Sequence, residues 1–410
     1  MFFRNYPNII VAMEVGSSKV AVAVSEQRAD GSLVLLGVGE AKTSGVRKCE
    51  IVNFEYAKQS ISHALKDAEE KTDVEISEVY LALSGAHIHS ENVELTTAIH
   101  SEGNEILQEH LDDLDGMIRH QSLEPGYSFI HEIIRHYRLD DGSTVENPIG
   151  LSSRRLSAQY HLISGITTRL QTTIRCVKEL GVNVKGFALG SLATAQAVLT
   201  EAQKREGAII VNCGAGATDW LAYEAGGVIE TGVIAVGGEH LTNDLALGLK
   251  LPPLKAEDLK LRHGRVDAAP AGAAETVVIP GDYSFEERIV PMESVQMILN
   301  ARQEETLRIV LGKLSEKAFW PHFRGTVHFT GGASRIPGFL ELASEIFPVP
   351  VSLSMPLPLE GDQSRVSRPD LATVMGLLRY AQIEDANTEP EGFGFGSLRK
   401  LFAAMRLFSF

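Results

Sequence analysis

The chain has 410 residues, too many for one ordinary hydrophobic core, so two or more lobes are expected. Hydrophobic residues make up 44% and charged residues 22%, which excludes a chain disordered as a whole. A net charge of −15 excludes a body-wide nucleic-acid surface, because phosphate binding needs a basic face.

Cys49, Cys176 and Cys213 have no metal-ligand spacing, and an odd set makes a poor disulfide framework. Buried thiols in a reducing compartment are expected. The N-terminus MFFRNYPNIIVAMEVG lacks the basic, apolar and small-residue blocks of a signal peptide. No stretch approaches the roughly 20 apolar residues of a membrane span. These features predict a cytoplasmic protein that does not cross a bilayer.

Residues 9–24, IIVAMEVGSSKVAVAV, read as strand, tight turn, strand, with β-branched runs around Gly16, Ser17 and Ser18. A strand is predicted at 33–38 and a helix at 54–70, followed by a buried strand at 78–85. From 86 to 163 the texture becomes alternating, polar and acidic, which predicts an inserted α/β subdomain. Many histidines fall there: His87, His89, His100, His110, His120, His131, His136 and His161. His87 and His89 share one face of a strand, but no third ligand has a demanding spacing. Packed or solvated histidines are expected rather than a metal site.

An amphipathic helix is predicted at 167–180, and an Ala-rich helix able to pack closely at 192–203. Residues 207–226, GAIIVNCGAGATDWLAYEAG, then repeat the strand–turn–strand of the N-terminus. Two matched hairpins this far apart predict two related domains facing each other. Helices are predicted over AEDLKLRHG, over 294–318, over LELASEIF and over ATVMGLLRYAQI. Strand TVHFT runs into a third Gly-rich turn, GGASRIPGF. Residues 384–396 read as an acidic, Pro/Gly-rich linker.

Gly and small hydroxylic residues between strands leave backbone N–H groups free to wrap phosphates. Ser17, Ser18, Lys19 and Thr218 would add direct bonds. Three such turns converging between two lobes would form one ATP site.

With these motifs the chain resembles the actin and sugar-kinase ATPase superfamily and, within it, the bacterial cell-division family FtsA. EVGSSKVAVAV is similar to the first phosphate loop, and SGVRKCEIVN to an early loop of the family. VYLALSGAHIHS leads into the family's insert. VNCGAGATDW is similar to the second phosphate loop, with VGGEHLTNDLALGL after it, and FTGGASRIPGF to the adenosine loop.

The resemblance implies an α/β actin-like two-lobed fold of duplicated ribonuclease H-like domains with the FtsA-type inserted subdomain. The expected division is 1–85, 164–201 and 358–383 for the first lobe, with the insert at 86–163. The second lobe takes 202–230 and 301–357, with a smaller subdomain at 231–300. ATP with Mg²⁺ is implied between the lobes. Gly16, Ser17, Ser18 and Lys19 would hold phosphates from one side. Gly214, Ala215, Gly216, Ala217 and Thr218, with Gly238, would hold them from the other. Gly331, Gly332, Ser334, Glu257 and Lys260 would frame the nucleoside.

Three positions depart from the pattern that the resemblance implies. Glu14 and Asn212 stand where aspartates are expected, and Gly190-Ser191 stands for a Glu-Pro pair. Metal charge and water positioning drive phosphoryl transfer, so hydrolysis should suffer more than binding. Glu14, Asp219 and Asp244 remain as carboxylates for a metal's water shell. A nucleotide switch is therefore expected rather than a turnover enzyme.

The final residues 397–410 read as an amphipathic helix. Leu398, Leu401, Phe402, Met405 and Phe408 gather on one side, with Arg399, Lys400 and Arg406 off it. Such a helix on a linker fits an interfacial anchor on anionic lipid. Burying its apolar side chains gives roughly 1.5–3 kcal/mol each, less the cost of ordering the helix, so one anchor is marginal and a filament of them holds firmly. Docking of the tail on the body is the plainer alternative.

The resemblance also implies self-assembly into filaments, other division proteins as partners, and the C-terminal peptide of the tubulin-like protein FtsZ near residues 230–305. Arg288 and Arg302 lie there and would pair with an acidic peptide, although solvated surface arginines are the simpler reading. The function implied is a membrane tether for the division ring in septum assembly. A soluble scaffold like the pilus-assembly relative PilM, and a small-molecule kinase of the same superfamily, are the competing readings.

Overall fold

The computed structural model describes residues 8–121, 123–266, 275–283, 285–361 and 367–387. Two mixed sheets with the same wiring organise it. In the first, the strand order is Asn183–Leu189, Glu78–Leu83, Ile9–Val15, Lys19–Gln27, Leu33–Lys42, with Glu360–Gly361 at the edge. In the second it is Val351–Leu353, Thr326–Thr330, Ala208–Cys213, Thr218–Glu224, Gly227–Ile234. Each sheet has three antiparallel strands in sequence, then parallel strands on the side of the first. The echo between the two hairpins is thus a duplication of topology.

The strands are apolar runs because each sheet is covered on both faces. Ala12, Met13, Val20, Val22 and Val24 are buried in one core, and Ile209, Val211, Val327 and Phe329 in a second. A third core fills the insert, where Leu111, Leu114 and Ile118 of helix Gln108–Arg119 pack on Leu156, Ala158 and Tyr160. The insert's sheet runs Ile88–Ala98, Arg155–Ile166, Tyr127–Arg138, Thr144–Val145.

Two helices cross between the sheets. Gly190–Val198 is buried at every position. It packs on Ala372–Asn387, where Thr194 and Thr373 share a hydrogen bond of 3.0 Å. Two expectations are corrected here. The Ala-rich helix breaks at Leu199, because Thr200 caps a new helix, Glu201–Glu206, through a capping box with Gln203. The last helix runs to Asn387, past the start drawn for the linker at 384, held by Asp385, which accepts from Tyr80 Oη at 2.6 Å. Residues 388–410, with every tail residue named for the membrane, lie outside the described residues. No helix among the described residues is long and apolar enough to cross a membrane.

Three of the insert's histidines, His87, His131 and His161, are structural ties. His131 Nε2 accepts the Leu189 N–H at 2.9 Å, just before the buried helix. His87 Nδ1 accepts the Ile166 N–H at 3.3 Å. His161 bonds Asn92 Oδ1 at 2.8 Å and Thr231 Oγ1 at 3.0 Å, joining the insert to the second sheet's edge strand. On that edge Ser90 Oγ donates to Thr231 O and Asn92 Nδ2 to Ile229 O. Among the described residues no group of three His, Cys, Asp or Glu could hold a metal.

Burial pushes His131 down to about 4 and His161 to about 3. Both pKa values lie below the unfolded value, so the unfolded chain takes up protons first as pH falls. Stability is present above pH about 6.5 and lost in acid; each histidine removes about 2 kcal/mol between pH ~6.5 and ~5. A thermal scan should therefore show wild type melting lower at pH 5 than at pH 7.5. His161→Gln should lower the melting point at pH 7.5 and close the gap to wild type at pH 5. A gap that stays constant with pH would count against a neutral buried His161.

Candidate functional site

The two hairpin turns are built alike. Gly16 N–H donates to Lys19 O at 3.0 Å, and Gly214 N–H donates to Ala217 O at 3.0 Å. A Cβ at either glycine would come within 3.0 Å of that carbonyl, at 2.9 Å for Gly16 and 2.8 Å for Gly214. The turns also touch each other, since a Cβ on Gly216 would lie 2.2 Å from Ser17 Oγ. Helix Gly238–Gly248 clamps the second turn from behind. Gly238 N–H donates to Gly214 O at 3.0 Å, and Glu239 N–H to Ala215 O at 2.8 Å. The N-terminus of that helix brings its positive dipole end to the same place.

These turns form one wall each of a cavity of about 470 Å³ between the two sheets. That is within the usual range for a small-molecule site, about 300–1,000 Å³. Glu14, Gly16, Ser17, Ser18 and Lys19 line it from the first sheet. Asn212, Gly214, Ala215, Ala217, Asp219 and Gly238 line it from the second, with Glu257, Lys260, Gly331 and Gly332 also in the lining. Gly331 has φ +90°, and a Cβ there would lie 2.5 Å from Asn212 Oδ1. Only glycine meets both conditions.

Lys260 Nζ donates to Gly238 O at 3.0 Å, Thr242 Oγ1 at 2.8 Å and Glu257 Oε2 at 2.7 Å. The floor holds two carboxylates. Desolvation pushes Glu14 up to about 7, opposed by the Lys19 charge. Desolvation, with Glu14's charge behind it, pushes Asp219 up to about 7 as well. Asp219 Oδ2 accepts from Asn212 Nδ2 at 3.3 Å, while Oδ1 has no hydrogen-bond partner among the described residues.

Several residues named from the sequence lie elsewhere. Thr218 is buried, and its hydroxyl donates to Val236 O at 2.8 Å. Ser334 is buried, and its hydroxyl donates to Gly331 O at 2.8 Å. Both brace turns instead of lining the cavity. Gly190 backs onto Ser84, whose Oγ would sit 2.2 Å from a Cβ at 190. Asp244 is away from the floor and is paired with Arg302, whose Nη2 donates to Asp244 Oδ1 at 3.2 Å. Arg302 also pairs with Glu305, and Arg288 Nη1 donates to Leu249 O at 2.6 Å, so both arginines have partners within the chain.

Other lining residues escaped the sequence reading: Ser84, Arg335, Asp370, Thr373 and Cys49. Arg335 lies inside the third glycine turn and Asp370 just ahead of the last helix, and as lone charges neither carries a site signal in the sequence. Cys49 N–H donates to Ser17 Oγ at 2.9 Å, and desolvation pushes its thiol up to about 12, which disfavours the thiolate form.

Comparison with known proteins agrees with this architecture. The family model described as "Cell division protein FtsA" matches residues 209–376. The one described as "SHS2 domain inserted in FTSA" matches residues 85–164. Cell division protein FtsA of Pseudomonas aeruginosa is 31% identical, over 91% of this chain and 89% of that protein. Its Escherichia coli K12 counterpart is 30% identical, over 93% of this chain and 92% of that protein. Among solved structures, the PilM–PilN type IV pilus biogenesis complex aligns with a TM-score of 0.65 at 12% identity, covering 91% of this chain and 98% of that one. MreB5 of Spiroplasma citri bound to AMPPNP aligns with a TM-score of 0.53 at 12% identity, covering 93% and 98%. The solved structures share the actin-like fold, and relatives alike over nine-tenths of the length make this chain a member of the FtsA family of cell-division proteins.

Proposed function

We propose that this chain binds ATP between its lobes, polymerises on the cytoplasmic face of the membrane, and tethers the FtsZ ring there through its C-terminal amphipathic helix. The observation that carries the reading is the pair of identically bonded glycine turns facing each other across one cavity, in a chain of this family. The N–H groups of such turns that are not spent within the turn, and the positive dipole end of the helix, favour a polyphosphate. Glu14 and the unpartnered Asp219 Oδ1 suit the water shell of a divalent cation. Bound Mg·ATP would supply a charged body in contact with both lobes.

Hydrolysis is proposed to be weak or absent. Asn212 is an amide that donates to Asp219, and position 190 carries no side chain to orient water. Turnover should fall well below the ~10 s⁻¹ of a typical enzyme. A steady-state phosphate-release rate near that value would overturn the switch reading.

The tether is tested by co-sedimentation of full-length protein, and of a version ending at Glu391, with anionic phosphatidylglycerol vesicles. Full-length protein should pellet with the vesicles and the shortened version should stay in the supernatant. If both stay in the supernatant at polymerising concentrations, the soluble-scaffold reading takes first place.

A further inference from the structure

Five charged side chains meet at the mouth of the cleft. Asp370 Oδ2 accepts from Lys19 Nζ at 2.6 Å and from Arg368 Nη2 at 2.8 Å, while Oδ1 accepts from Arg335 Nη1 at 3.1 Å. Glu40 accepts from Lys19 at 2.8 Å and Arg368 at 2.6 Å. Lys19 stands on the first glycine turn, and Asp370 just before the last helix, against the first sheet. Arg335 ends the third glycine turn, on the second sheet. Asp370 is therefore the carboxylate that joins the two halves, and Lys19, Arg335 and Asp370 all line the cavity. The neighbouring backbone is joined too, since Gly331 N–H and Thr330 Oγ1 both donate to Pro369 O. Desolvation opposes ionisation of Asp370, but Lys19 and Arg368 together outweigh it and hold the carboxyl at about 2, so it is charged at any physiological pH.

We propose that Asp370 is a positioning residue that ties Arg335 to Lys19 across the cleft mouth, so that its charge gates the entry and exit of a polyphosphate. The ligand in this inference rests on the nucleotide reading above; the tie does not. The cluster holds three cations against two carboxylates. Removing the Asp370 charge frees Arg335 and adds net positive charge at the mouth. Both entry and exit should then quicken. A side chain that merely contacted the ligand would change exit alone, and one that merely stabilised the fold would change neither.

The test uses full-length protein, a fluorescent methylanthraniloyl-ATP probe in stopped flow, and hydrogen exchange of the peptide containing the Gly331 amide without nucleotide. Asp370→Asn and Arg335→Gln should each raise association and dissociation rates about threefold, with the equilibrium constant moving less than either rate. The double variant should be no faster than the single ones, because the two residues form one interaction. Asp370→Glu should restore most of the slow exit. Salt from about 0.05 to about 0.5 M should quicken exit from wild type more than from Asp370→Asn, which has already lost the tie. Gly331 exchange should rise in both single variants and no further in the double.

Additive effects of the two substitutions, or unchanged rates with unchanged Gly331 exchange, overturn the proposal. If wild type gives no saturable probe signal, the nucleotide reading fails and gating fails with it. Exchange at Gly331 then decides the tie alone: acceleration in the single variants supports it, and none overturns it.

Discussion

Gly376→Val is expected to destabilise the protein by about 3 kcal/mol or more, through overpacking that neither helix can relieve. A Cβ at 376 would lie 1.8 Å from Ala193 O and 2.9 Å from Ala197 N. Those atoms are backbone of the buried helix Gly190–Val198, so no rotamer change makes room. Separating the helices would stretch the Thr194–Thr373 bond one turn away and open the core around Leu192, Val374 and Leu377. The two helices also connect the sheets, since Ala208, Ile210 and Leu221 of the second hairpin belong to the same core. The melting temperature should fall by roughly 3–5 °C. Gly312→Ala is the control. None of the described residues lies within 4 Å of a Cβ there, on an exposed helix face, so it should gain about 0.5–1 kcal/mol. A Gly376→Val protein that melts within a degree of wild type would disprove the close crossing.

That crossing shows where the sequence was legible and where it was not. The run of alanines at 192–197 announced a helix that packs closely, but its partner 180 residues on is named by no local signal. The duplicated sheets were legible because a hairpin carries its register within itself: apolar run, glycine turn, apolar run. The third strand of the second sheet, Gly227–Ile234, was missed. Its polar Glu230 and Thr231 are buried by the insert and by Lys317, whose Nζ lies 2.8 Å from Glu230, so no alternating pattern marks it. Loop residues such as Gly16 and Gly214 were legible from turn chemistry. Thr218 and Ser334 show the limit of that argument. A hydroxyl beside a glycine turn bonds the nearest carbonyl as readily as a ligand, and only the fold decides which. Asp370 was hidden because a tie between lobes is a contact in space without a motif.

Glu14→Gln is expected to stabilise the ligand-free protein at pH 8 and to change little near pH 4.5. In the folded state desolvation holds Glu14 near 7, above its ordinary value of 4.5, and Asp219 is raised beside it. The unfolded chain releases these protons first as pH rises. The contribution to stability is therefore fully present below about pH 4.5, and lost progressively up to about pH 7. For Glu14 the loss is about 3 kcal/mol, since each unit is about 1.4 kcal/mol. Glutamine keeps the shape, cannot ionise, and removes the charge that raises Asp219. The variant should thus melt higher than wild type at pH 8, and the two should converge in acid. Millimolar Mg²⁺ should raise the wild-type melting point at pH 8, by neutralising the facing carboxylates, and should do much less for Glu14→Gln. A variant that melts lower than wild type at pH 8 would mean that Glu14 is held as a stabilised anion. The floor of the cleft would then not be a carboxylate pair raised by desolvation.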